Sequence, residues 1–182
     1  MKWTIPGTVL QIRREDAEHI DEIFSSMFLA GGVVLSQVAS ITGLEPYTVQ
    51  NWVKRGFLPP PENRRYSQRQ LCRIIQINML KNALSLETIC SLLEYINGKL
   101  DDAADDIIDD ASLYFLFVKL AARAKQMEDA AAWECALEGL LADYQEPVPG
   151  ARERIEKTLR IMVTAWIAAR TRQAAEKLIE EL

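Results

Sequence analysis

Hydrophobic residues recur at the spacing of α-helices along most of the chain, and short stretches rich in glycine or proline separate the periodic segments. The first such segment runs from Asp16 to Leu29 and is followed by Gly31 and Gly32, which break the pattern. The alternation typical of a long strand is not seen. The pattern therefore predicts a mainly α-helical protein.

Two short helices are predicted next, close together in the sequence. The segment LSQVASITGL predicts a helix with Ser36 as N-cap and Gly43 as the left-handed residue that ends it. Pro46, which is tolerated at the first helical position, begins a second helix that ends before Gly56. Its inward side carries Val49, Trp52 and Val53. Two such helices joined by a tight turn form a helix-turn-helix, whose second helix, here 46–55, can enter the major groove of DNA.

A stiff basic loop follows, with the sequence GFLPPPENRRYSQRQL. It holds three consecutive prolines and three arginines in a chain whose formal net charge is -5. Phe57–Leu58 and Arg65–Tyr66 are predicted to pair as the two strands of a wing over 57–66. The prolines would reduce the entropy that this loop loses when it docks on a partner.

The remaining chain predicts further helices. Ser67 and Gln70 form a capping box for one of them, and Ser85 caps another that reaches Asn97. After Gly98, helical segments are predicted within 111–125, 129–144 and 151–182. These boundaries divide the chain into an N-terminal helix (1–32), a winged helix-turn-helix (33–97) and a C-terminal helical domain (98–182).

Charge is strongly segregated along the chain. The formal charge is -2 over 1–32, +5 over 33–85, -10 over 86–149 and +2 over 150–182. A polyanion meets local charge rather than net charge, so the acidic total does not exclude a nucleic-acid partner.

Several other classes of protein are not indicated. The three cysteines are far apart and without CxxC spacing, which argues against a disulfide framework or a zinc site and suits a reducing cytoplasm. No leader sequence opens the chain, and the apolar run at 161–169 is too short to cross a bilayer, so neither secretion nor a membrane location is expected. With a single histidine and no pairing of nucleophile and base, we expect no catalytic site, no cofactor and no enzymatic activity.

The aspartate cluster DDAADDIIDD at 101–110 lacks the glycine turn and the terminal glutamate of a calcium loop. A helix start is the better interpretation, because acidic side chains are favoured near a helix N-terminus. Within a helix, Asp101 with Asp105, and Asp106 with Asp110, would repel each other.

The order of these elements resembles the MerR-type winged helix, in which a helix-turn-helix, a wing ending in an Arg-x-Tyr-Ser element and two further helices follow one another. Arg64, Tyr66 and Ser67 stand where that element stands. More narrowly, the blocks NWVKRGFLPPPENRRYS and LKNALSLETI resemble an uncharacterised bacterial family of MerR-like proteins known as a domain of unknown function. The resemblance covers 33–97 and implies a cytoplasmic bacterial regulator that binds double-stranded DNA.

The DNA-binding residues expected from this interpretation lie on the second helix and on the wing. Amide and hydroxyl side chains can read base edges, and arginines can contact phosphates or the minor groove. Tyr66 is expected to pack at the base of the wing. The alternative is an ordinary solvated surface. The candidate residues are Tyr47, Thr48, Gln50, Asn51, Lys54, Arg55, Arg64, Arg65 and Tyr66.

The C-terminal helices are expected to supply a homodimer interface, a pocket for a small apolar effector, or both. The dimer is suggested by an apolar stripe from Ile155 to Leu178, and the effector by the aromatic run LYFLFV with Trp133 and Trp166. A packed core is the simpler explanation of the same aromatic residues. The alternative function is a protein-interaction module that keeps the winged-helix fold, has no DNA target and uses the last helix for binding.

Overall fold

The computed structural model describes residues 2–98, 100, 106–123 and 130–181. These residues form eight α-helices and two small antiparallel sheets of two strands each, so the protein is mainly helical, as predicted. The strands are β1 (Lys2–Thr4), β2 (Gln11–Arg13), β3 (Val33–Val34) and β4 (Arg65–Tyr66). The helices are α1 (Ile20–Met27), α2 (Leu35–Thr42), α3 (Pro46–Lys54), α4 (Gln68–Leu80), α5 (Leu86–Asn97), α6 (Asp110–Arg123), α7 (Ala130–Leu140) and α8 (Ala151–Glu180).

The N-terminus forms a hairpin that the periodicity did not predict. β1 pairs with β2 in the register Lys2↔Arg13 and Thr4↔Gln11. The predicted helix over 16–29 is divided into a 3-10 helix, Arg14–His19, and α1. Strands of three residues are too short to show a clear alternation, which explains why the hydrophobic pattern did not reveal them.

The predicted wing pairing is wrong. β4 pairs with β3, in the register Val33↔Tyr66 and Val34↔Arg65, and not with Phe57–Leu58. The prolines that follow Leu58 have no N–H to donate to a ladder, which disfavours a strand there. The segment immediately before α2 takes the place of the expected partner strand.

The two helices α2 and α3 form as predicted, with one difference at the start of α2. The N-cap is Val34 and not Ser36, because β3 leads directly into the helix. The backbone N–H of Val34 donates to the side chain of Gln37 at 2.9 Å, which caps this end. Gly43 ends α2 with φ of 70°, the left-handed conformation that glycine adopts without steric cost.

α4 is the central helix of the molecule. It begins with the predicted capping box, in which the Ser67 hydroxyl accepts from the Gln70 backbone N–H at 3.2 Å and the Gln70 side chain accepts from the Ser67 N–H at 2.8 Å. α4 contacts α2, α5, α6 and α8, and nine of its residues are buried. Each large apolar side chain buried there contributes about 1.5 to 3 kcal/mol.

A continuous hydrophobic core extends from Trp3 to Trp166 and includes residues of all three predicted segments. Tyr114 and Phe117 of α6 are fully buried in it, and the Phe117 and Trp166 rings pack edge to face with centroids 5.9 Å apart. The aromatic run LYFLFV therefore fills the core. The predicted domain boundaries stay a prediction.

α8 has 30 residues and is about 45 Å long at 1.5 Å per residue. The apolar stripe predicted as a dimer interface is buried within the chain as far as Ala169, against α5 and α6 among others. From Arg170 to Glu181 every residue is exposed. Among the described helices, α8 included, none combines the length and the apolar character that a bilayer-spanning segment needs.

Candidate nucleic-acid interface

α3 separates an apolar face from a polar one. Val49 and Trp52 are 0% and 3% exposed and anchor the helix on the core. Opposite them, Gln50 and Lys54 are exposed and Tyr47 is 74% exposed. A polar face of this kind, held on a helix that packs rigidly from behind, is the geometry that base-edge readout requires.

The structure brings most of the predicted residues of this helix to one surface. Thr48 and Asn51 are half-buried at its margin. The Thr48 backbone N–H donates to the Glu45 carbonyl at 2.9 Å, so the helix is wound from its first turn. No hydrogen bond or ion pair within the described chain occupies the side chains of Gln50, Asn51 or Lys54. Their polar groups are therefore available to a partner.

A tight turn over 62–65 presents the two predicted arginines of the loop. Asn63 and Arg64 both have positive φ, 49° and 63°, and the Arg65 N–H donates to the Glu62 carbonyl at 2.8 Å. Two consecutive left-handed residues are typical of a type I′ turn, in which glycine, asparagine and aspartate are favoured. An arginine held in that conformation is unusual and is the kind of backbone strain that often marks a functional position.

The two arginines of the turn differ in what they contact. Arg65 Nη1 donates to the Gly32 carbonyl at 2.9 Å, so its guanidinium supports the connection between β3 and β4. A Cβ on Gly32, whose φ is 104°, would lie 3.0 Å from the Tyr66 carbonyl oxygen, so this approach requires glycine. Arg64 is exposed and has no ion pair within the described part of the chain. Arg64 is therefore the freer cation of the two.

Two further candidates are engaged inside the protein. Arg55 Nη2 lies 2.9 Å from Glu87 Oε1, and its guanidinium lies 4.6 Å from the centroid of the Phe57 ring. Tyr66 is 3% exposed, in agreement with the predicted packing at the base of the loop, and burial raises its pKa. Tyr66 is therefore withdrawn from solvent, whereas Arg55 stays exposed but its guanidinium is paired with Glu87.

Ion pairs join the basic segment of the sequence to the acidic segment. Arg69 Nη1 lies 2.7 Å from Asp106 Oδ2, and Arg69 Nε lies 3.3 Å from Asp110 Oδ2. Arg73 Nη1 lies 3.3 Å from Asp110 Oδ1. Burial raises the pKa of Asp110, while Arg73 and Arg69 act to lower it. Two cations of the basic segment are thus compensated by the acidic segment, whereas Lys54, Arg64 and Arg65 have no ion pair within the described residues.

The aspartate cluster has structural roles where the structure describes it. Asp109 Oδ1 accepts from the backbone N–H groups of Ala111 at 2.8 Å and Ser112 at 3.1 Å, which confirms the predicted helix start. The helical i,i+4 repulsion expected for Asp106 and Asp110 does not arise, because α6 begins at Asp110, and both side chains pair with Arg69. The expectations for 101–105 fall outside the described residues. In the described ranges, no group of three or more His, Cys, Asp or Glu side chains could hold a metal ion.

Two supporting residues were not identified from the sequence. Asn78, on the otherwise apolar side of α4, donates to the Gly7 carbonyl at 2.9 Å and to the Thr42 carbonyl at 3.0 Å, which ties the N-terminal hairpin to the end of α2. The Lys81 ammonium lies 5.9 Å from the centroid of the Trp52 ring, and burial lowers the pKa of Lys81. The sequence signal for Asn78 was its position as a polar residue between the apolar residues Ile77 and Met79 of α4.

Comparison with known proteins finds similarity to an uncharacterised domain family and to an uncharacterised protein. A domain family described as "Domain of unknown function (DUF1836)" matches residues 30–117, which include α2, α3, the basic loop and most of α6. The chain is also similar to the "Uncharacterized protein YkrK" of Bacillus subtilis (strain 168), at 28% identity over 86 residues. That match covers 45% of this chain and 37% of the length of the relative. No solved structure matches.

Proposed function

We propose that the protein binds double-stranded DNA in a sequence-specific manner and acts as a transcriptional regulator of the MerR-like type. The observation that carries the proposal is the exposed polar face of α3, which ends with Lys54, together with the exposed Arg64 of the 62–65 turn. Neither cation has an ion-pair partner in the described ranges. In this proposal α3 enters the major groove as the second helix of a helix-turn-helix. The loop over 57–66 lies on the DNA backbone.

The chemistry of the exposed side chains suits both parts of this contact. The amides of Gln50 and Asn51 can bond adenine bidentately, because each offers a donor and an acceptor side by side. Arg64 and Lys54 can neutralise phosphates, which positions the protein but carries no sequence information. Since α2 contacts both α3 and β4, one rigid support holds the helix and the end of the loop.

Salt dependence of duplex binding tests the proposal. Fluorescence anisotropy of a labelled DNA pool should show an affinity that falls with rising salt, because neutralised phosphates release counterions. The double variant Lys54→Glu/Arg64→Glu should bind every duplex more weakly and reduce the slope of log K against log salt by about 1.8, or about 0.9 per lost contact. Arg65 is better left intact, because its hydrogen bond to Gly32 supports the fold.

The matched control is Lys177→Glu, an exposed cation near the end of α8. It changes the net charge in the same direction, so unchanged binding would show that position matters and not total charge. If the double variant binds DNA at low salt as tightly as the wild type while circular dichroism shows an intact fold, DNA binding through this surface is refuted.

The alternative function is a protein-interaction module without a DNA target. It is favoured by the exposed end of α8, where Leu178 and Ile179 are 65% and 68% exposed. Exposed apolar side chains on a projecting helix are suited to packing against another helix. Duplex affinity that is absent at low salt would favour this function.

We also propose a homodimer formed through the C-terminal helices, now restricted to the exposed part of α8. The buried half of the stripe cannot serve, because this chain covers it. Sedimentation velocity of the full chain should show a dimer that Leu178→Ser/Ile179→Ser dissociates and that Lys177→Ser leaves intact. A wild-type monomer at tens of micromolar would refute the dimer. The small apolar effector stays a prediction. Of the aromatic residues that suggested it, Tyr114, Phe117 and Trp166 are buried in the core, which accounts for them without a ligand.

A further inference from the structure

A groove with a volume of about 1000 Å³ lies between the N-terminal hairpin, the end of α4 and α8. This volume is at the upper end of the range for small-molecule sites. Neither the periodicity nor the charge distribution along the sequence indicated it, because its walls come from the two ends of the chain and from the middle.

Positive charge dominates the lining of this groove. Four cationic side chains contribute to it and one carboxylate does, that of Glu15. Glu15 Oε1 lies 3.8 Å from Arg13 Nη1, so an arginine outside the groove lining partly compensates its charge. The cations are Lys2, Arg14, Lys81 and Arg170. A cleft in which one sign of charge predominates concentrates small ions of the opposite sign.

Two of these cations lie on indole rings. The Arg14 guanidinium lies 5.6 Å from the centroid of Trp3, and that of Arg170 lies 4.8 Å from the centroid of Trp166. Both tryptophans are almost fully buried, so the indoles are fixed surfaces that attract the guanidiniums. A guanidinium is planar, so it offers both a charge and a face on which a flat group can stack.

The cationic side chains of the groove form no ion pairs among the described residues. In the part of the chain that the structure describes, Lys2, Lys81 and Arg170 have no carboxylate within ion-pair distance, and Arg14 donates only to the Ala122 carbonyl, at 3.1 Å. These cations of the groove are therefore not compensated by carboxylates of the described residues. Such an arrangement is unfavourable when empty of anions and is stabilised by a negatively charged occupant.

We propose that this groove binds a small organic anion that carries a carboxylate or phosphate group on a flat ring. The anionic group would be held by Arg170 and Lys2, and the ring would lie against the guanidinium and indole surfaces. Lys81 lines the groove and also lies over the ring of Trp52, the buried residue that anchors α3 on the core. The binding itself does not depend on the proposed DNA function.

A pair of probes that differ only in charge tests this site. Titration calorimetry with the full chain should show binding of 2-naphthoate and binding of neutral 2-naphthamide at least about tenfold weaker, since a hydrogen bond to a charged group is worth a factor of this size or more. Binding of 2-naphthoate should weaken as sodium chloride is raised.

Single substitutions locate the binding. Arg170→Gln and Lys2→Gln should each weaken 2-naphthoate by about three- to tenfold. Both residues are exposed, so folding should be unaffected, and thermal unfolding checks this. Lys177→Gln, on the same helix but outside the groove, should leave the affinity unchanged. Equal affinity for the two probes, no binding at millimolar concentration, or full affinity in both groove variants would each overturn the proposal.

Discussion

The guanidinium of Arg73 and the carboxylate of Asp110 lie 3.3 Å apart, and their side chains are 3% and 2% exposed. Arg73 Nε also donates to the Phe57 carbonyl at 3.2 Å, so one buried arginine joins the start of the basic loop to the start of α6. Asp110→Asn should lower the free energy of unfolding by about 3 to 5 kcal/mol, because it leaves a buried guanidinium without its counter-ion.

Chemical denaturation measures this effect, and an exposed ion pair provides the comparison. Glu176→Gln removes the negative charge that pairs with Arg172, whose Nε lies 2.8 Å from Glu176 Oε1. The free energy of unfolding should change by no more than about 1 kcal/mol, because solvent screens that pair. If the two substitutions have equal effects, the buried pair does not stabilise the junction between the loop and α6.

The capping box of α4 gives a second prediction with an internal control. Ser67→Ala should lower stability by about 1 kcal/mol, since it removes the acceptor for the Gln70 N–H. Ser36→Ala should not lower it, because Ser36 lies inside α2 and does not cap it. Thermal and chemical denaturation of both variants distinguish the two serines, and equal losses would contradict the capping geometry.

The strained turn predicts that stability and binding change in opposite directions at Arg64. Asparagine tolerates a positive φ better than arginine does, so Arg64→Asn should raise the free energy of unfolding by up to about 1 kcal/mol. The same change should weaken DNA binding, because a phosphate contact is lost. Arg64→Lys keeps both the strain and the charge and is the matched control. A destabilised Arg64→Asn variant would show that the side chain is needed for folding.

Specificity should depend on different residues from affinity. Once a preferred site has been found by selection from random duplexes, Gln50→Ala or Asn51→Ala should reduce discrimination against altered sites by about 1 to 3 kcal/mol. The salt dependence of binding should remain that of the wild type. Unchanged relative affinities across a set of altered sites would exclude these amides from base readout.

Thiol reactivity reports on the packing of the core. Cys72 and Cys90 are buried, and burial raises the pKa of both thiols, whereas Cys135 on α7 is exposed. The thiolate is the reactive form, so a thiol reagent should label one cysteine per folded chain and three in denaturant. Cys135→Ser should remove the labelling of the folded protein. Rapid labelling of two or three sites would indicate a more open core.

The sequence by itself determined most of the local structure. Pro46 begins α3, Gly43 ends α2, and Ser67 with Gln70 begins α4, because each of these signals acts through the backbone of its own few residues. The apolar side of α3 was also predictable, since Val49 and Trp52 share one face of a helix. These features need no knowledge of the rest of the chain.

The tertiary structure decided which distant segments meet. β4 pairs with a strand about thirty residues earlier in the chain, and Arg69 and Arg73 pair with aspartates about forty residues later. The spacing of nearby residues predicts neither the strand pairing nor the ion pairs, because these contacts depend on how the helices pack around α4. The same packing leaves Lys54 and Arg64 without an ion pair among the described residues and brings the N-terminal hairpin next to α8 to form the cationic groove. Local sequence determines helices through backbone geometry, whereas the charges left free for a partner depend on which opposite charges the fold brings within ion-pair distance.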